Sequence, residues 1–275
     1  MRLRSITICI SLFVLVSFSF IISNCSKNII ESKKVINKSD GNEILVLLKK
    51  ITEINNNSPR AFSVTFTLKG IIDGKKFKTL GSGIYNKSPK KMRITVKDVV
   101  FNSALSIVIV DNEIIKFYIP VEKKLYIDNE KTIDLKNYIN LNINYKIFYS
   151  LVTGMIPILS NYRIKEGLTT KRDSPPRLFL ILENDDYFET ISFRENIPDK
   201  ILFINKSTKE KFEIYLEKPL YIANTLYYKR IKFIFLETDC KLSLKFNNIK
   251  SNIQIKLKNI TRLKLEKDTR IMVVK

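Results

Sequence analysis

Hydrophobic and polar positions follow three different patterns along this chain. Ile6 to Ile22 is an unbroken apolar run with no charge in it, and residues 26–40 (SKNIIESKKVINKSD) are polar and lack useful periodicity. Ile44, Leu47, Leu48, Ile51 and Ile54 then recur at the spacing of one helix face. Asp40 with Glu43 reads as a capping box, and Asn55-Asn56-Asn57-Ser58-Pro59 ends the helix after about four turns. From Arg60 the period becomes two. Phe62, Val64, Phe66 and Leu68 alternate with Ser63, Thr65, Thr67 and Lys69, and Asp73-Gly74 marks a hairpin. Strands follow at Phe77–Tyr85, Met92–Val96, Leu105–Ile109, Ile114–Ile119 and Leu125–Ile127. Ile147, Phe148, Leu151 and Val152 break the alternation with a second helical face, which Gly154 stops and Pro157 keeps from continuing. Strands resume at Leu178–Leu182, Tyr187–Phe193, Lys200–Ile204 and Phe212–Leu216, then around Phe233, Leu244 and Ile255.

About ten or eleven short antiparallel strands with one apolar face must bury that face, in a barrel or in a sandwich. Two helices are too few for an α/β layer fold, but they suffice to cover the mouth of a curved sheet. Such a sheet encloses an apolar space or fills it with its own side chains, and alternation alone does not choose between the two. No Pro/Gly-rich linker divides the chain, so one domain is expected.

Composition removes most enzyme classes. The 275 residues contain no His, no Trp, 3 Cys and 7 Gly. Without His there is no Ser-His-Asp or Cys-His catalysis and no His-based zinc site. Three Cys make neither a four-cysteine zinc site nor a disulfide scaffold, and no Gly-rich phosphate loop is present. Asp185-Asp186 is the obvious carboxylate pair, but adjacent strand residues face opposite sides, which makes it a solvated turn. No catalytic residue, metal site or cofactor is therefore assigned.

The N-terminal pattern reads as a processing signal, with plain secretion or an uncleaved membrane anchor as the alternatives. Arg2 and Arg4 precede the apolar run, which leads into Ile21-Ile22-Ser23-Asn24-Cys25. This segment resembles a bacterial lipoprotein signal, in which the Cys is acylated and becomes the first mature residue; Asn24 stands where that pattern prefers Gly, Ala or Ser. The resemblance implies lipidation at Cys25. Cleavage there removes Arg2 and Arg4 and takes the formal charge from +21 to +19. Cys240 is then the lone thiol, expected to be buried. The lysines and arginines are spread over strand faces without a basic run, which argues for solvated outer faces and a weak attraction to anionic lipid surfaces, and against nucleic acid.

Four strings resemble the LolA/LolB superfamily, LolB most of all. They are Gly83-Ile84-Tyr85 through Pro89-Lys90-Lys91-Met92-Arg93-Ile94; Val99-Val100-Phe101-Asn102 before Leu105; Leu151-Val152-Thr153-Gly154-Met155-Ile156-Pro157-Ile158; and Arg230–Phe235 with Cys240–Phe246 and Asn252. Two departures stand out: the C-terminal strand pair follows Tyr227-Tyr228 instead of a Pro, and the family's Trp residues are absent. The resemblance implies a mainly β fold, an incomplete and strongly curved antiparallel barrel with a few helices covering its open mouth. It implies a signal peptide at 1–24, a tether at 25–40 from lipidated Cys25, a lipid-binding domain at 41–262 and a C-terminal tail at 263–275.

In function it implies a non-enzymatic, monomeric lipoprotein on the periplasmic face of the outer membrane, which receives the acyl chains of lipoproteins from a periplasmic LolA-like carrier and helps insert them. The alternative on the same fold is an envelope lipoprotein that binds lipid or glycolipid as a sensor or surface protein, without sorting. Val99, Val100 and Phe101 become a membrane-inserting loop. Phe62, Val64, Phe66, Met92, Ile94, Val96, Leu105, Ile107, Ile109, Ile147, Leu151, Phe233, Phe235, Leu244 and Phe246 become cavity lining, where a plain β domain would use them as filled core.

Overall fold

The structure is a computed structural model that describes residues 36–38, 41–130, 133, 145–170 and 175–274. The expected signal peptide, Cys25, most of the tether and Asp40 of the capping box lie outside those residues. The described chain is dominated by one sheet of fifteen strands. The first meander comprises β2 (Ala61–Ile72), β3 (Lys75–Asn86), β4 (Lys91–Lys97), β5 (Ala104–Asp111), β6 (Ile114–Ile119) and β7 (Lys124–Asn129). The second comprises β8 (Arg163–Thr170), β9 (Arg177–Glu183), β10 (Tyr187–Arg194), β11 (Ile197–Asn205), β12 (Lys211–Ile222), β13 (Thr225–Phe235) and β14 (Cys240–Ser251). Short strands β1 (Ile36–Lys38) and β15 (Arg270–Val273) form the two edges. The order is β1-β8-β9-β10-β11-β12-β13-β14-β2-β3-β4-β5-β6-β7-β15. Every neighbouring pair is antiparallel except β15, which runs parallel to β7. The sheet is strongly curved and does not close, in accord with the open barrel expected.

The strand expected around Ile255 is absent, since residues 253–256 are irregular and lead into a helix at Leu257–Thr261, yet strands exceed the expected ten or eleven for an identifiable reason. β8 reads RIKEGLTT, with too few apolar residues to show alternation. β1 lies in the stretch expected as tether and β15 in the stretch expected as tail; each is recruited through backbone pairing with β8 or β7, which needs no apolar face. Hairpins Glu195-Asn196 and Ala223-Asn224 hold both central residues at positive φ, as Asp73-Gly74 does, but without a glycine to announce them.

Helix α1 (Gly41–Asn56) buries Leu47, Ile51 and Ile54. Helix α2 (Tyr145–Val152) ends as the sequence predicts: Gly154 takes a φ of 76°, and the Gly154 and Met155 N–H groups return to the Leu151 and Ser150 carbonyls. The Asn55 side chain both accepts from the Ile156 N–H and donates to its carbonyl, which ties the end of α1 to the segment after α2. A third helix, α3 (Leu257–Thr261), lies against β3, β4 and β5. No helix of the described residues is long and apolar enough to cross a membrane.

Packing differs between the two meanders. Leu180, Leu182, Ile191, Phe193, Ile201, Phe203 and Ile214 of β9–β12 are all 0% exposed, a filled core. One carboxyl sits inside it. Glu189 of β10 lies between Leu182 and Phe203 on the flanking strands and is itself 0% exposed. Its Oε2 accepts the Leu159 N–H at 2.9 Å, and its Oε1 has no partner among the described residues. Burial pushes its pKa up to about 8, against which the one backbone bond pulls weakly.

Glu189 therefore stays protonated at neutral pH in the folded chain. A carboxyl with a raised folded pKa supports the fold fully below its ordinary value and loses that contribution as pH rises through its folded value. Stability is expected to fall by about 1.4 kcal/mol per pH unit from the ordinary carboxylate range up to about 8. Glu189→Gln should remove that slope, measured as urea midpoints across the same pH series; a parallel slope in the variant would refute the assignment.

Candidate functional site

Beside the filled half, the sheet is hollow. A cavity of about 190 Å³ lies between β2–β6, β13, β14 and α2. Register explains its walls. Residues directly opposite in an antiparallel pair share a face, so Met92, Ile94 and Val96 of β4 stand beside Val110, Val108 and Ser106 of β5, and Val110 and Val108 beside Ile115 and Phe117 of β6. On the other side Phe66 and Leu68 of β2 pair with Phe246 and Leu244 of β14, Leu242 of β14 pairs with Phe233 of β13, and Phe62 and Val64 continue the β2 wall. Tyr145, Phe148 and Val152 of α2 close the space at i, i+3 and i+7.

Two glycines on β3 make room. A Cβ at Gly81 would sit 2.2 Å from the Phe66 ring, its cross-strand partner, and one at Gly83 would sit 3.0 Å from Val64. The missing side chains let Phe66 and Val64 lie back against the strand and leave the lumen open. A single water needs about 10–15 Å³ and several polar partners. This space is more than ten times that size and its lining is almost wholly hydrocarbon, so an apolar ligand suits it better than water.

A tyrosine cluster borders it. The Tyr85 and Tyr149 rings meet edge-on with centroids 5.9 Å apart, and the Lys90 ammonium lies 4.3 Å from the Tyr149 ring centroid while pairing with Glu130. Tyr145, which lines the cavity, has a buried hydroxyl with no partner among the described residues. Burial holds the Tyr145 and Tyr149 phenols far above their usual range, so both stay neutral. Ser106 and Tyr145 are the polar residues of the described lining, and the rest of it is apolar.

Of the residues expected to line a cavity, Phe62, Val64, Phe66, Met92, Ile94, Val96, Phe233, Phe235, Leu244 and Phe246 do so. Leu105, Ile107 and Ile109 do not. β5 is apolar on both faces, and these three belong to the outer one: Leu105 is exposed, while Ile107 and Ile109 pack with Tyr118, Leu125 and Leu263. Ile147 and Leu151 are core residues of α2, with Leu151 at a separate small void of about 10 Å³. Val108, Ile115, Phe117, Leu68 and Leu242 were not foreseen; pairing Ile94 with Val108 would have found the correct phase of β5. Cys240 is a buried free thiol, as expected.

The β4–β5 turn is built to present apolar side chains. The Asp98 carboxylate accepts the Val100 and Phe101 N–H groups, both at 2.8 Å, and its N–H donates to the Ser103 carbonyl at 2.9 Å. This polar clasp turns Val99, Val100 and Phe101 outward, 40%, 79% and 82% exposed. Asp98 is the residue that sequence reading overlooked here.

No family model matches the sequence, and no curated protein matches it. Solved structures do. A domain from Vibrio parahaemolyticus named for outer membrane lipoprotein sorting superposes with a TM-score of 0.63 at 8% identity, covering 81% of this chain and 97% of that one. A DUF1329 family protein from Desulfovibrio piger gives 0.59 at 9% identity over 79% and 96%. A LolA superfamily protein from Nitrosomonas europaea gives 0.54 at 11% identity over 80% and 97%. The likeness is one of fold. It extends over nearly the whole of each of those chains.

Gly81→Ala tests the open lumen. The added methyl should turn the Phe66 ring into the cavity, cutting the binding of an apolar fluorescent dye while costing no more than about 1–3 kcal/mol of stability. Dye titration with a parallel thermal melt checks it; undiminished dye binding would show that Gly81 does not set the volume.

Proposed function

We propose that this chain is a LolB-like envelope lipoprotein that takes acyl chains into the cavity beneath α2 and helps deliver acylated proteins to a membrane. The observation that carries the proposal is the hollow, hydrocarbon-lined half of a barrel whose other half is tightly filled. The fold shared with a lipoprotein-sorting domain and a LolA superfamily protein supports it. Each buried methylene contributes about 0.8 kcal/mol, so such a space holds an acyl chain by apolar contact alone. No cofactor or catalytic step is needed.

In this reading residues 1–24 are removed and Cys25 carries the lipid that anchors the chain to the periplasmic face of the outer membrane. The stretch after it tethers the domain, and a periplasmic LolA-like carrier hands over the cargo. The chain acts as a monomer and has no nucleic-acid partner. Val99, Val100 and Phe101 enter the bilayer and open the exit. Outward apolar side chains on a clasped turn favour that role, since a turn that served only to connect two strands would gain nothing from them.

Two variants separate binding from delivery. Val108→Trp places an indole in the lumen and should weaken capture of a palmitoylated peptide by about fourfold for each methylene kept out. Val100→Glu with Phe101→Glu should leave capture unchanged and block transfer to vesicles. A wild-type chain that fails to capture the peptide would end the carrier proposal. Capture with normal lipoprotein localisation after depletion would instead favour the sensor or surface-protein reading.

A further inference from the structure

The barrel end that carries the clasped turn has a second property. Strand register places six hairpin connections there, the β9–β10 and β11–β12 turns among them. Ile72 pairs with Lys75, Lys97 with Leu80, Ile119 with Lys124 and Phe235 with Cys240, so the β2–β3, β4–β5, β6–β7 and β13–β14 turns share one rim. Apolar side chains stand out from three of them: Val100 and Phe101, Val121 at 82% exposure and Leu236 at 50%.

The convex face leading to this rim is basic. Cross-strand pairing lays Lys232, Ser243, Lys69 and Lys78 in one row and Lys241, Ile71 and Lys76 in the next. Their five lysines line a surface groove of about 600 Å³. Lys232 has Glu217 at 2.5 Å and Lys241 has Asp239 at 3.7 Å. No carboxylate pairs with Lys69, Lys76 or Lys78 among the described residues, although Lys69 and Lys78 are directly opposed. Like charges opposed across a strand pair destabilise a sheet, so the row works against the fold that bears it.

We infer that this rim and groove dock on an anionic phospholipid surface, with the apolar tips in the interface and the lysines at the headgroup phosphates. An acidic protein would account for the lysines and leave the four apolar tips unused. A neutral bilayer would account for the tips and leave the lysine row uncompensated. An anionic bilayer uses both, because apolar insertion and attraction to acidic headgroups act together at an interface. The inference shares with the carrier reading only the idea that the rim meets a membrane; it does not require a loaded cavity.

The test uses the mature chain from Ser26, without its lipid, in flotation with vesicles of phosphatidylcholine alone or mixed with phosphatidylglycerol. Binding to the mixed vesicles is expected to be at least about tenfold tighter and to weaken with salt. Combined Lys69→Gln, Lys76→Gln and Lys78→Gln should abolish most of that preference. The same variant should melt no lower than wild type, since it relieves the opposed charges. Val100→Ser with Phe101→Ser should reduce binding to both vesicle types and leave their ratio. Equal wild-type binding to both vesicles, or a preference that survives the lysine changes, overturns the inference. Binding of soluble polyglutamate as tight as that of the mixed vesicles also overturns it, in favour of an acidic protein. Lysine-dependent vesicle binding without capture of a palmitoylated peptide would sink the carrier proposal and leave this one standing.

Discussion

The antiparallel seam between β2 and β14 joins the two meanders into one surface, from Lys241 opposite Ile71 to Ser251 opposite Phe62. It connects strands far apart in sequence; Asn247, the extra residue at a bulge in β14, reaches Thr67 with its side-chain amide at 3.1 Å. The bulge changes the phase of pairing between Phe246 and Asn248. A bulge also bends its strand and strengthens the local twist, which suits a sheet that must curl around its own concave face. Without this seam each meander would be an open sheet with one apolar face in water. With it, Phe62, Val64 and Phe66 meet Leu244, Phe246 and Phe233 across a common space.

That space coexists with a stable fold because burial is divided unevenly. Empty apolar volume costs stability, since the atoms around it lose contacts that a filled core keeps. The second meander supplies the compensation through its fully buried leucines, isoleucines and phenylalanines, with the buried faces of α1 and α2 completing the same core. The first meander stays open because Gly81 and Gly83 remove side chains from the middle of β3 and because α2 crosses the opening with rings and a valine. An apolar ligand placed there would gain the contacts the protein leaves unmade.

One period-two alternation sets both the interior and the surface. On β2 the inward residues are cavity walls, and the next outward position, Lys69, belongs to the basic groove. Among the described residues no lysine or arginine is buried, so their positive charge is kept from the apolar interior by the pleat itself.

Much of this was legible in the sequence. The helix from Ile44 to Ile54, the stop at Gly154, the Asp73-Gly74 hairpin and the inward faces of β2, β4, β13 and β14 follow from local periodicity and turn chemistry, which depend only on neighbours along the chain. The phase of β5 was not legible, because both its faces are apolar and only its pairing with β4 selects Val108 over Ile107. Nor were β1, β8 and β15, whose places are fixed by backbone hydrogen bonds to partners that carry the pattern for them. The sequence by itself determined a mainly β chain with alternating faces and two helices. Tertiary structure decided that one half is filled and the other hollow, because volume depends on which side chains meet across the β2–β14 seam, and no single strand contains that information.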